Sequence, residues 1–324
     1  MTGAKSEPPL ARAIVAGDRR ALARAISAVE NGDPTALPIV RALYPRTGRA
    51  RVVGLTGPLG VGKSSLVNAL VQLVRAEGRT VGVVAVDPSS PFSGGSVLGD
   101  RIRLERDAAD AGIYFRSMAS RGESGGIAAT TREVVRLLDA AGFDVVLVET
   151  VGSGQVDVAI RDVASTSVVV VVPHLGDEVQ TLKAGLFEIA DVFCVNKADL
   201  PGADLARKDL VELVSLGAHR DGWAPPIVLT SALASTGLPE LWAAIEKHEA
   251  FLDASGRRAE IERRRLVHEV VGLVRDRVAA DLGERLERDP ALRRLLDRVQ
   301  ARAIDPRGAA ERLYAGRRRV ARRR

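Results

Sequence analysis

Residues 57–64 read Gly-Pro-Leu-Gly-Val-Gly-Lys-Ser, a phosphate-binding loop of the form G-x-x-x-x-G-K-S. An apolar β-type run over 52–56 precedes the loop, and a helical pattern of apolar residues begins after it at Leu66. In this context the backbone N–H groups of the loop and the N-terminus of the helix converge on one phosphate. The stretch therefore predicts a nucleotide-binding domain with an α/β fold.

The residues of this loop have separate expected roles. Lys63 is expected to reach the β- and γ-phosphates, and the Ser64 hydroxyl to bind Mg²⁺. The glycines allow backbone conformations that turn N–H groups towards the phosphates. The nucleotide-binding residues predicted in this region are Gly57, Gly60, Val61, Gly62, Lys63, Ser64 and Ser65.

Seven short β-type runs, the first directly before the loop, alternate with helical segments. They are near-continuous Val and Ile runs rather than apolar–polar alternations, which indicates strands buried on both faces. The pattern predicts a mostly parallel, doubly wound sheet covered by helices, the fold of P-loop NTPases. The predicted strands cover 52–56, 81–86, 113–116, 145–149, 168–172, 192–195 and 227–229.

Helical patterns flank the predicted sheet. Upstream, apolar spacing over 11–44 predicts two helices joined around residues 31–34, and residues 1–10 are expected to fray. Downstream, four helices are predicted over 238–252, 257–282 and 290–303, with a short last one near Asp305-Pro306. We therefore expect an N-terminal helical extension over 1–48, a P-loop domain over 49–252 and a C-terminal helical arm with a basic tail over 253–324.

A second motif predicts which base is bound. The run over 192–195 ends in Asn196-Lys-Ala-Asp199, the N-K-x-D pattern of GTP-binding proteins. The Asp199 carboxylate can accept the N1–H and the 2-amino group of guanine together, whereas adenine offers neither donor. Asn196 is expected to tie this loop to the phosphate loop and the Lys197 stem to lie over the base. A backbone N–H at Ser231-Ala232 is the expected contact to guanine O6.

Three acidic residues at or beyond strand ends are candidate contacts to Mg²⁺, either direct or through water. They are Asp87, Asp100 and Glu149, and they join Ser64 in the predicted metal site. Two alternatives stay open: Asp87 also suits a turn cap before proline, and Asp100 suits a salt bridge with neighbouring arginines. The N–H of Gly152 is expected to meet the γ-phosphate.

Composition narrows the class of protein further. The chain has 324 residues, with 47 basic against 41 acidic residues and a net charge of +6. Six C-terminal arginines account for this excess, so no nucleic-acid partner is expected: Arg317, Arg318, Arg319, Arg322, Arg323 and Arg324. The sole cysteine, Cys194, excludes a disulfide framework and a multi-thiolate metal site. We expect no membrane span and, without an apolar signal region, a cytoplasmic location.

With these motifs, the sequence resembles the MeaB/ArgK family within the G3E group of GTPases, a family that includes the human protein behind the cblA type of methylmalonic aciduria. The resemblance runs from about Ala21 to Leu313. Besides the phosphate loop and N-K-x-D, it rests on Ala21–Asn31, Asp87-Pro-Ser-Ser-Pro-Phe-Ser-Gly-Gly95, Gly99-Asp-Arg-Ile-Arg103, Glu149-Thr-Val-Gly-Ser-Gly-Gln155, Gly176-Asp-Glu-Val-Gln-Thr-Leu-Lys-Ala-Gly185 and Asp305-Pro306.

This resemblance implies a GTPase chaperone, with GTP/GDP and Mg²⁺ as cofactors, for an adenosylcobalamin-dependent acyl-CoA mutase, most often methylmalonyl-CoA mutase. It also implies a homodimer to which the C-terminal arm contributes. The family's third switch loop matches Gly176–Gly185, where the mutase would stimulate hydrolysis. The catalytic residues expected on this basis are Lys63, Glu149, Asp177, Gln180 and Lys183.

The residue after Gly152 is Ser153 rather than a water-orienting Gln, and the motifs contain no evident arginine finger. The protein alone should therefore hydrolyse GTP slowly. Three other interpretations remain. A nickel-delivery metallochaperone GTPase of the same group would need a thiolate or histidine cluster near the switches. A P-loop kinase would need an acceptor site and normally adenine. A nucleotide-gated scaffold without useful turnover is the third.

Overall fold

A computed structural model describes residues 7–88, 110–120, 126–150, 158–173, 186–216 and 222–321. The chain forms two compact units, Met1–Arg258 and Ala259–Arg324. The first unit contains the N-terminal helices together with the sheet, and the second contains most of the helical arm. Among the described residues, no helix combines the length and the apolar character that a membrane crossing requires.

The described residues of the first unit form a seven-stranded sheet in the order β3-β2-β4-β1-β5-β6-β7. Every neighbouring pair is parallel, so the predicted fold class is confirmed. The carboxyl ends of the strands therefore meet at one edge, where open α/β sheets bind ligands. The strands are β1 Arg51–Thr56, β2 Val81–Pro88, β3 Ile113–Ser120, β4 Val145–Thr150, β5 Thr166–Val171, β6 Val192–Val195 and β7 Ile227–Leu229.

Helices cover both faces of the sheet. In the described part of the chain they are α1 Pro9–Val15, α2 Arg19–Glu30, α3 Ala36–Leu43, α4 Lys63–Ala76, α5 Gly126–Ala140, α6 Leu186–Ile189, α7 Ala203–Leu216, α8 Leu238–Ala254, α9 Arg257–Arg288, α10 Pro290–Gln300 and α11 Pro306–Ala321. Short 3₁₀ turns lie at Tyr44–Arg46 and Val158–Asp162.

Two apolar cores result, one on each face. Leu55 and Leu147 lie in the core that contains residues of α4 and α8. Their strand neighbour Val148 lies in the other core, with residues of α1–α3 and α5. Since alternate strand residues are buried in different cores, both faces of the sheet need apolar side chains. That is the physical reason for the continuous Val and Ile runs.

The N-terminal region contains three helices: the two predicted on either side of residues 31–34 are α2 and α3, and the helix before them, α1, was missed. Gly17 adopts φ +86°, a left-handed conformation that interrupts the helical pattern. Asp18 then caps α2, accepting the N–H groups of Arg20 at 2.8 Å and Ala21 at 3.0 Å. The first helix starts at Pro9, in the stretch expected to fray, because proline suits the first turn of a helix.

Near the other end, α11 has sixteen residues rather than being short. Pro306 stands at its first position. The carboxylate of Asp305 accepts the Gly308 N–H at 3.0 Å, which satisfies one donor at the N-terminus. Beyond these caps, the apolar spacing that sequence analysis relies on is weak in this arginine-rich stretch, and this explains the underestimate.

A buried polar cluster lies where β5 begins, at the amino ends of the strands. Glu249 in α8 is fully buried, and its Oε1 accepts the hydroxyls of Ser165 at 2.6 Å and Thr166 at 2.5 Å. Arg258, in the first turn of α9, lies 2.8 Å from Glu249 Oε2. The buried carboxylate thus has a cationic partner, without which its burial would be strongly unfavourable.

His248 belongs to the same cluster. Its Nδ1 lies 2.9 Å from Thr166 Oγ1, and its Nε2 lies 3.5 Å from Asp191. Because Thr166 gives its single proton to Glu249, Nδ1–H of His248 is the donor to Thr166, and Nε2 is the position left for a second proton. Burial lowers the pKa of His248, against the opposing effects of the Asp191 and Glu249 carboxylates.

Candidate functional site

Two glycines of the phosphate loop stand where no other residue fits. Gly57 has φ +144°, and a Cβ there would lie 2.1 Å from the carbonyl oxygen of Val170 in β5. Gly62, at φ +91°, would place a Cβ 2.5 Å from the Asn196 amide nitrogen. The loop therefore passes in direct contact with both the sheet and the predicted base-binding loop, an approach that only glycine allows.

Lys63 begins α4 and is 5% exposed. Its Nζ donates to the carbonyl oxygens of Gly57 at 2.7 Å and Pro58 at 2.8 Å. These bonds compensate the burial of the ammonium group and place a cation under the loop. A nucleoside triphosphate bound by the loop would meet that cation at its terminal phosphates, the interaction for which P-loop enzymes use this lysine.

Ser64 and Glu149 come together beside this lysine. Leu55 pairs with Glu149 across β1 and β4, which places the glutamate at the same sheet edge as the loop. The Ser64 hydroxyl donates to Glu149 Oε1 at 2.5 Å. A hydroxyl and a carboxylate in contact are hard oxygen donors of the kind that Mg²⁺ prefers, so the residues fit that ion.

Ser64 and Glu149 would hold the ion directly or through water. When bound beside the phosphates, Mg²⁺ supplies charge neutralisation at the β- and γ-oxygens. Asp87 is the third candidate, and its backbone continues β2 opposite Ala119 in β3. That register puts its backbone at the same edge of the sheet, while its side chain lies outside the described part.

Asn196 joins three loops at this edge. Its Nδ2 donates to the carbonyl oxygen of Val61 in the phosphate loop at 2.8 Å. Its Oδ1 accepts the Thr230 hydroxyl and the Ala232 N–H, both at 3.2 Å. The residue is buried, so these bonds carry nearly all of its hydrogen-bonding capacity. The amide fixes the phosphate loop and the two loops predicted to hold the base relative to one another.

The next residues of the motif complete the link. Lys197 adopts a left-handed conformation at φ +58°, and its Nζ donates to the Gly60 carbonyl at 2.8 Å. Asp199 is exposed, and its carboxylate makes no hydrogen bond or ion pair with any residue that the structure describes. A carboxylate in that state is available for the two donors of a guanine base.

In the turn after β7, the backbone N–H groups of Ser231 and Ala232, which were expected to contact guanine O6, both donate to acceptors within the protein. The Ser231 N–H donates to the carbonyl oxygen of Thr236 at 3.0 Å. The Ala232 N–H donates to Asn196 Oδ1 at 3.2 Å. Ala234 donates to the Ser231 hydroxyl. The Leu233 N–H has no acceptor among the described residues, and this side chain is 92% exposed. Leu233 therefore joins the candidates for contact with guanine O6.

Cys194 lies behind this site. It is buried in β6, and its sulfur lies 3.1 Å from the hydroxyl of Thr230, the residue that donates to Asn196. Burial raises the pKa of the thiol to about 12, so the sulfur is neutral at physiological pH. It acts as a packing group rather than a metal ligand. Within the described ranges, no cluster of three or more His, Cys, Asp or Glu side chains is placed to hold a metal ion.

Other predicted site residues are placed only in part. Ser65 follows Ser64 in the first turn of α4 and is half-buried. Five predicted residues lie outside the described residues. They are Asp100, a candidate metal contact, and Gly152, Asp177, Gln180 and Lys183 of the predicted switches.

The parallel sheet, the phosphate loop and the loop that Asn196 ties to it define a P-loop nucleoside triphosphatase. Comparison with protein families narrows the class. A family model described as methylmalonyl Co-A mutase-associated GTPase MeaB matches residues 22–287. The chain belongs to the MeaB family of GTPases, and the resemblance drawn from the motifs is confirmed. It is accordingly a GTP-hydrolysing enzyme.

Individual relatives agree with this assignment. A chain of Pyrococcus abyssi named as a GTPase is 48% identical over 298 residues, covering 91% of this chain and 92% of that one. A mouse protein named methylmalonic aciduria type A homolog, mitochondrial, is 33% identical over 261 residues, 75% of this chain and 63% of that protein. A solved structure described as a LAO/AO transport system kinase covers 95% of this chain and 96% of its own, at a TM-score of 0.73 and 29% identity.

Proposed function

We propose that this GTPase is a chaperone for an adenosylcobalamin-dependent acyl-CoA mutase, with methylmalonyl-CoA mutase as the first candidate client. Two similarities support the client: the matching family is described as mutase-associated, and the mouse relative is named for methylmalonic aciduria. GTP binding and hydrolysis would gate cofactor loading and protect the mutase from inactivation. The cytoplasm, a reducing compartment that suits a single buried cysteine, is the proposed location.

One observation carries the nucleotide part of this proposal. Asn196 connects Val61 of the phosphate loop with the loops around Asp199 and Ala232, while the Asp199 carboxylate stays unpaired among the described residues. A guanine bound by Asp199 would thereby be linked, through one buried amide, to the loop that holds its phosphates. We propose GTP and GDP with Mg²⁺ as the ligands, in preference to ATP.

The third switch, Gly176–Gly185, is the proposed point of stimulation by the mutase. In this proposal Lys183 meets the charge that develops on the transferred phosphate, Gln180 orients the attacking water, and Asp177 is a third position through which the mutase stimulates hydrolysis. The protein alone would be slow, because the other motifs contain no evident arginine finger and Ser153, rather than a water-orienting Gln, follows Gly152. Lys183, Gln180 and Asp177 lie outside the described part, so their proposed roles come from the family resemblance alone.

The decisive experiment is a pull-down of the acyl-CoA mutases of the same organism with the protein loaded with a non-hydrolysable GTP analogue. We expect one mutase to be retained with the analogue and released with GDP. Failure to retain any of them would refute the mutase as client while leaving the GTPase assignment intact.

Lys183 provides a sharper test once a client is found. Lys183→Ala should abolish the stimulation of hydrolysis by the mutase, and GTP affinity, measured in parallel, separates catalysis from binding. Lys208→Ala is the matched control, since Lys208 is an exposed lysine on α7. Stimulation that survives in Lys183→Ala would overturn the proposed role of the third switch.

We also propose a homodimer formed through α9. This helix has no buried residue, and valines spaced three and four positions apart are exposed along one side of it. A helix of 32 residues with such an apolar stripe gains most of its stability from packing against a partner. The valines of this stripe are Val267, Val270, Val271, Val274 and Val278.

A further inference from the structure

The positive charge of the chain is concentrated in its last part. Residues 290–324 contain twelve arginines and three acidic residues. The preceding 289 residues contain 35 basic and 38 acidic residues, so they carry a small negative charge. Because the terminal six arginines are only half of the twelve, the basic stretch begins well before the tail, at α10.

The structure shows whether these arginines are exposed and whether they form ion pairs. Arg294, Arg298, Arg302 and Arg312 are exposed, and none forms an ion pair with a described residue. We call these four residues the basic arm surface. Its neighbour Arg307 lies 3.9 Å from Glu311, a long and exposed pair.

Helix α9, from the same arm, is different. Over 257–289 it has nine arginines and eight acidic residues. Several of them pair along the helix, including Arg264 with Glu260 at 2.9 Å and Arg288 with Glu284 at 3.6 Å. Arg294 and Arg298 are instead like charges at i and i+4 on α10, a spacing that destabilises an isolated helix. Within the arm, the excess of arginine over acidic residues therefore lies after α9, in the stretch that contains α10 and α11.

Among the residues that the structure describes, none of the four arginines has an acidic partner within this chain. The surroundings of the arginines indicate what kind of partner fits. Leu296 is 45% exposed on α10 and Tyr314 is 64% exposed on α11. Arginine and tyrosine with scattered apolar side chains are typical of surfaces that bind proteins.

The same composition fits other polyanions less well. Membrane-surface helices present a continuous apolar face with several large side chains, and in the described part of 290–324 only Leu296 and Tyr314 are large, apolar and exposed. A single exposed aromatic gives no stacking platform for unpaired bases. Guanidinium groups, by contrast, bind carboxylates through two parallel hydrogen bonds.

We propose that the basic arm surface is a docking site for a carboxylate-rich surface of another protein. The four arginines supply bidentate contacts to Glu or Asp side chains, and Leu296 and Tyr314, which are exposed on the same two helices, add apolar contacts. This interaction does not require nucleotide, so it stands apart from the proposed GTPase cycle.

Binding of the full-length protein to labelled polymers tests this proposal, without nucleotide and at physiological salt. The probes are poly-L-glutamate, a random copolymer of glutamate and tyrosine, a short DNA duplex, and phosphatidylcholine vesicles containing phosphatidylserine. We expect both carboxylate polymers to bind, the copolymer more tightly. The triple change Arg294→Glu, Arg298→Glu and Arg312→Glu should weaken this binding by about tenfold or more.

The matched control makes three charge reversals on the N-terminal helices, at Arg12 of α1, Arg24 of α2 and Arg41 of α3, which are also exposed. It should change the affinity less than about twofold, since the effect depends on location rather than on net charge. Circular dichroism and GTP titration of both variants verify that they are folded.

Equal weakening in both triple variants would overturn the proposal, because the binding would then reflect bulk charge. Tighter binding of the DNA duplex or of the vesicles than of the carboxylate polymers would also overturn it, in favour of a phosphate-bearing partner. Because GTP is absent, each of these outcomes leaves the proposed nucleotide function untouched.

Discussion

The unit that contains the sheet and the unit that contains most of the arm differ in how far their apolar side chains are buried. In the first unit Leu55, Leu70 and Phe193 are fully buried between strands and helices. In the arm, neither α9 nor α10 has a buried residue, although both carry apolar side chains at helical spacing. The first unit has the packing of a domain that folds within one chain. The arm has the pattern of helices that complete their packing with a partner.

Charged residues show the same contrast. In the first unit Arg75 binds Asp110 through two bonds, at 2.8 and 3.0 Å, and Arg258 neutralises the buried Glu249. The basic arm surface has no such partners within the described residues. If this contrast is correct, changes in the first unit should affect nucleotide chemistry, and changes in the arm should affect association alone.

The largest effect is expected for Lys63→Ala. Removing the cation under the phosphate loop takes away stabilisation of the developing phosphate charge, so GTP hydrolysis should fall by about 10²–10³-fold. A phosphate-release assay under single-turnover conditions measures this. Lys208→Ala on α7 is the control, and a comparable loss there would show that the assay responds to general charge instead.

The next effect concerns the base. Asp199→Asn replaces an acceptor of guanine donors by an amide, so GTP affinity should fall roughly 100-fold. Xanthosine triphosphate has a carbonyl in place of the 2-amino group, so its affinity should rise, since the new amide can donate to it. Competition titrations with both nucleotides decide the matter. An unchanged preference for GTP would remove Asp199 from the site.

A smaller effect is expected in the arm. Val270→Glu with Val274→Glu places two carboxylates in the exposed valine stripe and should weaken the proposed dimer by about 2 kcal/mol. Sedimentation equilibrium measures the association, and GTP affinity should stay the same. Ala280→Glu, on the opposite side of α9, is the control. A dimer that resists the double change would place the interface elsewhere, whereas lost GTP binding would contradict the independence of the two units.

The smallest effect is a pH dependence in the first unit. Because burial lowers the pKa of His248, the unfolded chain takes up a proton at a higher pH than the folded protein does. Folding stability should therefore fall as the pH drops below the ordinary histidine value of 6.5, by up to about 1.4 kcal/mol per pH unit.

Urea unfolding of the wild type and of His248→Gln at several pH values measures this difference. The variant should lose the part of the pH dependence that His248 causes. His268→Gln, at an exposed position on α9, should behave like the wild type. If His248→Gln kept the full pH dependence, other groups would be responsible for it.

Sequence reasoning succeeded where the signal is local. The strand at 192–195 was predicted with its observed bounds. A run of apolar residues followed by a polar motif can be recognised as a strand end without information from any other part of the chain. In 11–44 the two helices around residues 31–34 were predicted, but α1 was missed because the break at Gly17 depends on a single backbone conformation. The start of α11 near Asp305-Pro306 was predicted, but its length was underestimated because apolar spacing is weak in this arginine-rich stretch.

Inside the site, the sequence could name Asn196 and Asp199 but not Leu233. The amino-acid sequence around Leu233 does not show that its N–H lacks an acceptor among the described residues. That follows from the bonds which Ser231 and Ala232 make to Thr236 and Asn196. The cluster of His248, Glu249 and Thr166 could not be predicted either, because Thr166 is separated by 82 residues from His248 and by 83 from Glu249.

The sequence by itself determined the fold class, the nucleotide family and the types of residue at the phosphate and base loops, because each depends on short motifs whose chemistry is carried by adjacent residues. Only the tertiary structure decided how these motifs meet. It placed Ser64 against Glu149 and the Asn196 amide between three loops. It also showed which arginines stay unpaired. Such contacts join residues far apart in the chain, and their geometry exists only once the sheet has brought the strand ends together.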